Sequence, residues 1–440
     1  MAPREATTNP EAQLAAEPAA GEGSLLVLGL LSLLVGVASG LVGAAFRLSL
    51  DQADRLRNLL ISQAHGVGVA GILLVSAACA AATAAAAWLV RRYSPYASGS
   101  GITHVEAVLK QEIPPAPLWL VPVKFVGGVL AIGAGLALGR EGPSVQMGAS
   151  VAHLIGKVFR RDWASCRALV AAGAGAGLAT AFNAPIAGAV IVLEELVRRF
   201  ETRIAIAALG ASATAIVVAR RILGDEPEFS VDPLAYTGSR AGGLFLVLGV
   251  IAGLAAVAYN RALLAALAAA GRLGRWPVEL RAGIIGGAVG LLAWFAPEWV
   301  GGGEPITQQT LAGRLGAGML PVVFLLRFGL GAVSYAAQTP GGLFAPLLLL
   351  GAQLGLLFGL ACRFVLPDLD TPPVAFAVVG MAAFFTGVVR APVTGIVLII
   401  EMTAAFTLLL PMLGACFAAM LVPTLLGSEP IYDSLRVPKP

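Results

Sequence analysis

The chain has 440 residues, of which 58% are hydrophobic and only 12% charged, with 54 glycines, 27 prolines and a net charge of +4. A soluble domain carries about 25% charged residues to coat its surface, so most of this surface faces lipid, and a soluble enzyme is excluded before any motif is read. The small net charge offers no basic face, and no nucleic-acid partner is expected.

In chain order, residues 1–23 are rich in Ala, Glu, Pro and Thr and lack an apolar core. They are no signal peptide, which needs a basic start and an apolar stretch, and they read as a disordered cytoplasmic tail. From Ser24 onward the chain is nearly continuous membrane material, with apolar blocks at about 25–47, 67–90, 117–138, 168–193, 203–219, 241–270, 282–298, 317–336, 341–362 and 373–426. A spanning helix needs about 20 apolar residues. Several blocks are longer than that or are broken by Gly-Pro or Ala-Pro, which implies half-helices meeting inside the protein, where irregular backbone is tolerated only if buried or lining a polar cavity. Residues 225–240 form the most polar interior segment and read as a linker between membrane repeats at 24–224 and 241–436. Cys79, Cys166, Cys362 and Cys416 lie far apart with no C-x-x-C pair, so neither zinc nor redox chemistry is implied and no metal is expected.

The two halves repeat. An offset of 203 residues aligns Lys124-Phe125 with Arg327-Phe328, Gly139-Arg140-Glu141-Gly142-Pro143 with Gly342-Leu343-Phe344-Ala345-Pro346, and Gly148-Ala149 with Gly351-Ala352. An offset of 207 then aligns Asn183-Ala184-Pro185 with Arg390-Ala391-Pro392 and Glu194 with Glu401. Paired repeats with broken helices at matching positions are the sequence mark of a secondary transporter fold, with its site near the midplane. At each break, glycines precede a helix start whose first N–H groups lack intrahelical partners and carry the positive end of the helix dipole. Three such starts, Gly99-Ser100-Gly101-Ile102-Thr103, Gly139-Arg140-Glu141-Gly142-Pro143 and Gly341-Gly342-Leu343-Phe344-Ala345-Pro346, suit an anion.

With Tyr432 near the C-terminus, these motifs resemble the CLC family of chloride channels and proton/chloride exchangers, over the chain from Ser24 to about Leu435. The resemblance implies an all-α polytopic membrane protein of two inverted-topology repeats of tilted and broken helices. It implies a homodimer with one anion pathway per subunit, in a bacterial inner membrane with both termini cytoplasmic, exchanging chloride for protons without a cofactor. By resemblance, Ser100 and Tyr432 supply hydroxyls to the anion, with Gly101 and Ile102 in the same first turn, and Leu343 and Phe344 supply backbone amides. Glu141 is the gating glutamate, the amides of Arg140 and Gly142 line the outer part of the site, and Glu195 matches the internal proton-transfer glutamate of the exchangers.

An ionisable residue within a membrane is by default functional. A carboxylate among anion-attracting donors competes with chloride, and protonation ends the competition, so Glu141 alone can couple two ions. Bland readings stand beside these roles: Glu195 as a helix-end acid paired with Arg198 or Arg199, Ser100 as a helix cap, and Tyr432 as an interfacial tyrosine. Glu106, Glu194, Glu401 and Lys124 read as structural. Thr103 stands where the family commonly has proline, and is expected to cap its helix instead. The chain ends at Pro440, so nucleotide-sensing domains are not expected. A passive channel needs no Glu195, and a fluoride or nitrate exchanger is expected to depart from Ser100. A membrane enzyme lacks its chemistry: His65, His104 and His153 form no H-E-x-x-H, and there is no G-x-S-x-G.

Overall fold

The computed structural model describes residues 22–232 and 242–436. The tail at 1–23 therefore lies almost wholly outside the described residues, and residues 233–240 of the linker do too. The described residues form helices and turns, with two isolated backbone bridges and no strand. The first half contains α1 (Glu22–Ala64), α2 (Val69–Tyr93), α3 (Ile102–Leu109), α4 (Leu120–Gly133), α5 (Glu141–Val158), α6 (Trp163–Phe182), α7 (Pro185–Ile191) and α8 (Thr202–Leu223). The second contains α9 (Gly242–Arg272), α10 (Val278–Phe295), α11 (Glu304–Leu311), α12 (Leu320–Tyr335), α13 (Phe344–Val365), α14 (Pro373–Val389), α15 (Pro392–Thr403) and α16 (Leu409–Leu425), and then the single turn α17 (Ile431–Ser434). Among the described residues, 8 helices are long and apolar enough to cross a membrane.

The two halves match helix for helix, down to their breaks. The short helices α3 and α11 both start after a left-handed glycine, Gly101 at φ 85° and Gly303 at φ 102°. A residue with a β-carbon is strained there, which is why each half carries glycine at this point. Asn183 and Arg390 end α6 and α14 at φ 54° and 73°. In each half an alanine then leads into proline at the first helical position, where its missing N–H costs nothing. The packing repeats as well. A β-carbon on Gly148 would run into the Gly173 carbonyl between α5 and α6, and one on Gly351 would come within 2.5 Å of the Gly380 carbonyl between α13 and α14. Small residues at these crossings let the backbones approach closely, the usual means of helix association in lipid.

Glu194 and Glu401 close the two halves reciprocally. The Glu401 carboxylate accepts from Ile186 N at 3.0 Å and Ala187 N at 2.7 Å, at the start of α7. The Glu194 carboxylate accepts from Val393 N at 2.9 Å and Thr394 N at 2.6 Å, at the start of α15. Both acids satisfy helix-terminal amides, which agrees with the structural reading of each.

The described part of the linker, 225–232, packs in part against the membrane helices. Phe229 is buried and donates its N–H to Met402 O at 3.0 Å, and Glu228 is buried by its side chain, while Asp225, Glu226, Pro227, Ser230 and Asp232 are exposed. Two arginines reach Glu228 and offset the cost of burying its charge.

Candidate functional site

Three backbone turns meet inside the molecule. Gly139 N donates to Gly342 O at 2.8 Å, and Gly342 N donates back to Gly139 O at 2.7 Å. Beside them, Gly99 N donates to Thr339 O and Gly341 N to Gly99 O, both at 3.1 Å. These bonds bring together the starts of α3, α5 and α13, so three sets of free amides and three positive dipole ends share one place. Ser100, Gly101, Ile102, Arg140, Gly142, Leu343 and Phe344 are all buried there.

Glu141 opens α5 and is fully buried. Its Oε1 accepts from Phe344 N at 2.6 Å, while Oε2 has no hydrogen-bond partner in the protein. A hydrogen bond to a charged group contributes about 1.5–3 kcal/mol, and a buried unsatisfied polar atom costs about 1–3 kcal/mol. Glycines crowd the carboxylate: a β-carbon on Gly139 or Gly342 would meet it, and one on Gly142 would come within 2.5 Å of the Ser100 hydroxyl.

Tyr432 reaches the same place on α17, from the far end of the chain. Its ring centroid lies 6.0 Å from that of Phe344, which in turn packs edge-on against Phe385 at 4.7 Å. The hydroxyls of Ser100 and Tyr432 are both buried and lie beside each other, and neither makes a hydrogen bond of ordinary geometry. Buried hydroxyls are normally paired. Two neighbouring buried hydroxyls beside three helix starts fit an anion that would accept from both.

The turn carrying Ser100 is held from two sides. Lys124, fully buried, donates to Ala97 O at 3.1 Å and Gly99 O at 2.7 Å, and Ser100 N donates to the Tyr335 hydroxyl at 3.4 Å. Arg327 does the same work in the second half, donating to Trp299 O at 3.1 Å and Gly301 O at 2.9 Å. Lys124 is structural, as expected. Thr103 is not the cap that its hydroxyl suggested: Gly101 occupies the cap position of α3, with no side-chain cap bond. The left-handed glycine already turns the chain, so the threonine is left inside the first helical turn. In the second half, Pro305 holds the equivalent place.

The Arg140 side chain points away from this centre. Its Nε donates to Ala181 O at 2.9 Å, and its terminal nitrogen pairs with Glu228, which also binds Arg47 at 2.8 Å. Burial pushes the Glu228 carboxyl up, but the Arg140 and Arg47 guanidiniums outweigh it and hold the group below the usual carboxylate range. Neither Glu228 nor Tyr335 was singled out in the sequence. A glutamate in a polar loop and an aromatic in an apolar run carry no local signal of their partners.

Glu195 lies in the π-turn Val192–Leu196 after α7. It is buried, accepts from Arg198 at 3.1 Å, and borders an open cavity of about 620 Å³. Of the two arginines considered for it, Arg198 is the partner. Glu106 is buried on α3 and pairs with Lys110 at 2.7 Å and with Arg436, in keeping with its structural reading.

The voltage gated chloride channel family model matches residues 82–424. The H(+)/Cl(-) exchange transporter ClcA of Cronobacter sakazakii is 38% identical over 419 residues, covering 93% of this chain and 89% of its own. That of Vibrio cholerae is 37% identical over 417 residues, covering 92% and 88%. A solved structure described as a slow cyanobacterial Cl-/H+ antiporter superposes with a TM-score of 0.89 at 31% identity, covering 93% of this chain and 97% of that one. The paired halves, the meeting helix starts and these likenesses agree: the chain is an integral membrane protein, not an enzyme, and belongs to the voltage gated chloride channel (CLC) family.

Proposed function

We propose that the chain exchanges chloride for protons across a bacterial inner membrane, with Glu141 as the gate shared by both ions and Glu195 as the internal proton relay. The observation that carries this is the Glu141 carboxylate resting on the Phe344 amide at 2.6 Å, in the place where the buried hydroxyls of Ser100 and Tyr432 meet. An anion carried by the chain itself thus takes the donors that a chloride would need. While ionised, Glu141 holds the Phe344 N–H. Once protonated it loses its charge-assisted bond, swings away, and leaves the amides of Leu343 and Phe344 to chloride. Ser100 and Tyr432 donate their hydroxyls to the anion from the inner side. Gly101 and Ile102 present the start of α3, and the amides of Arg140 and Gly142 receive the anion further out. Glu195, at a water-accessible cavity, delivers protons from the cytoplasmic side along a route that chloride does not use.

The relatives named as exchangers support proton coupling over a passive channel. Family membership supports a homodimer in lipid with both termini in the cytoplasm. The test is reconstitution into liposomes under a chloride gradient with external pH recorded. Chloride-driven proton movement is expected, and chloride flux without it would make the chain a channel.

A further inference from the structure

The geometry points to a charged latch, Arg198 with Asp433, that couples the proton state of Glu195 to the position of Tyr432. The inference rests on the exchanger roles proposed for those two residues and adds the link between them.

Arg198 binds three acids at once. It donates to the Glu195 carboxylate at 3.1 Å, grips both oxygens of Asp433 at 3.0 and 3.1 Å, and stands 3.7 Å from Glu106. Asp433 is the residue directly after Tyr432 on α17 and also pairs with Arg436 at 2.9 Å, while Glu106 takes Arg436 and Lys110. The network is charge-balanced when every group is ionised: Glu106, Glu195 and Asp433 against Lys110, Arg198 and Arg436. Glu194, Arg199 and Arg390 border the adjoining cavity and complete the charged surroundings of Glu195. Arg198 itself adopts φ 55°, a left-handed backbone disfavoured for a residue with a β-carbon. It directly follows the cap residue Val197 of the π-turn Val192–Leu196, a place where a left-handed residue commonly ends a helix.

The single turn α17 is short enough to be placed by its anchors. On its upstream side, Arg390 donates to Ser428 O at 2.8 Å and Asn260 to Glu429 O at 3.3 Å. On its downstream side, the side-chain anchors are Asp433 and Arg436, both within the charged network. When Glu195 gains a proton, its pull on Arg198 falls and the network carries one surplus positive charge. Arg198 then redistributes toward Asp433 and Glu106, and the turn bearing Tyr432 moves with Asp433. When the proton leaves, the three-way grip returns. Proton arrival at Glu195 is thereby felt at the inner anion contact. Arg198 and Asp433 are positioning residues, since neither touches the anion.

The test uses the full chain in liposomes, with proton and chloride fluxes measured while internal and external pH are varied separately. Asp433→Asn is expected to lower the proton-to-chloride ratio severalfold and to flatten the response of chloride flux to internal pH. The response to external pH, set at Glu141, is expected to persist. Asp433→Glu keeps the charge and is expected to restore both readouts. Arg198→Lys, which keeps charge but cannot grip both oxygens, is expected to fall between. A purely structural role would scale all fluxes together and leave the ratio and both pH responses as in the parent chain. That result overturns the latch. Should the parent chain itself pass chloride without protons, the exchanger reading fails, and the latch is judged on internal-pH response alone: equal responses in parent and Asp433→Asn overturn it.

Discussion

Gly139 and Gly342 hold one another by two reciprocal backbone hydrogen bonds, at 2.8 and 2.7 Å, although they belong to different halves of the chain. Each occupies the same place in its own half, so the exchange of bonds marks the pseudo-twofold relation between the repeats. The residues next in the chain break that symmetry. Arg140-Glu141 comes after Gly139, and Leu343-Phe344 after Gly342, so one half contributes a carboxylate and the other the amide that receives it. An otherwise symmetric frame thus carries a single carboxylate–amide contact.

That asymmetry separates the roles proposed for Glu141 and Glu195. Glu141→Gln mimics the protonated gate permanently, so chloride should move down its gradient with no proton transport and a flattened pH dependence. In the proposed mechanism Glu195 lies off the anion route. Glu195→Gln should also end proton transport, but chloride flux should still respond to external pH through Glu141. Parallel flux recordings check both. Full proton coupling in Glu141→Gln would remove the gate, and a parental ratio in Glu195→Gln would remove the relay.

Ser100→Pro takes away one buried hydroxyl. A site that hydrogen-bonds its ligand loses discrimination when that partner goes. The variant should shift preference from chloride toward nitrate and weaken proton coupling. Competition flux with the two anions measures it, and an unchanged chloride/nitrate ratio would take Ser100 out of the site.

For Tyr432, removal of the hydroxyl alone should have a modest effect. A neutral hydrogen bond contributes about 0.5–1.5 kcal/mol net, so Tyr432→Phe should weaken chloride binding severalfold. Tyr432→Ala also removes the ring packed near Phe344 and should weaken it further while opening the inner pathway. Calorimetric titration of chloride reads both. Parental affinity in the alanine variant would rule out the contact.

Glu228 makes a prediction about stability and pH. Removing one partner of a buried ion pair leaves an uncompensated charge and costs about 3–5 kcal/mol, so Glu228→Gln should markedly lower the unfolding temperature in detergent at pH 7. The folded carboxyl lies below its ordinary range. Its contribution is therefore fully present above the unfolded glutamate value of about 4.3 and is lost as pH falls through the lower folded value. The gap between parent and variant should hold from neutral pH down to about that point and close below it. Thermal scans over a pH series check this, and a gap that closes well above that value would contradict the pairing.

The solvent, the repeat and the helix starts that meet inside the molecule are legible from the residues alone. Composition set the membrane, because so few charges cannot coat a surface in water. The paired offsets set two matching halves, because Gly, Ala-Pro and Glu recur where helices must break and their ends be satisfied. The three glycine-rich starts were legible because free amides at a helix start are a local property of the backbone. The partners were not legible. Glu228 meets Arg140 across 88 residues and Asp433 meets Arg198 across 235, with nothing local to either that names the other. Tyr335 has the character of an ordinary apolar-helix aromatic until the fold lays its hydroxyl against the Ser100 amide. Thr103 carries a capping hydroxyl that the left-handed Gly101 makes redundant. Local chemistry determines which backbone groups are left free. Which distant side chain answers them is decided in the folded molecule, because ion pairs and hydrogen bonds act over a few ångströms, and that distance is set by how all the helices pack together.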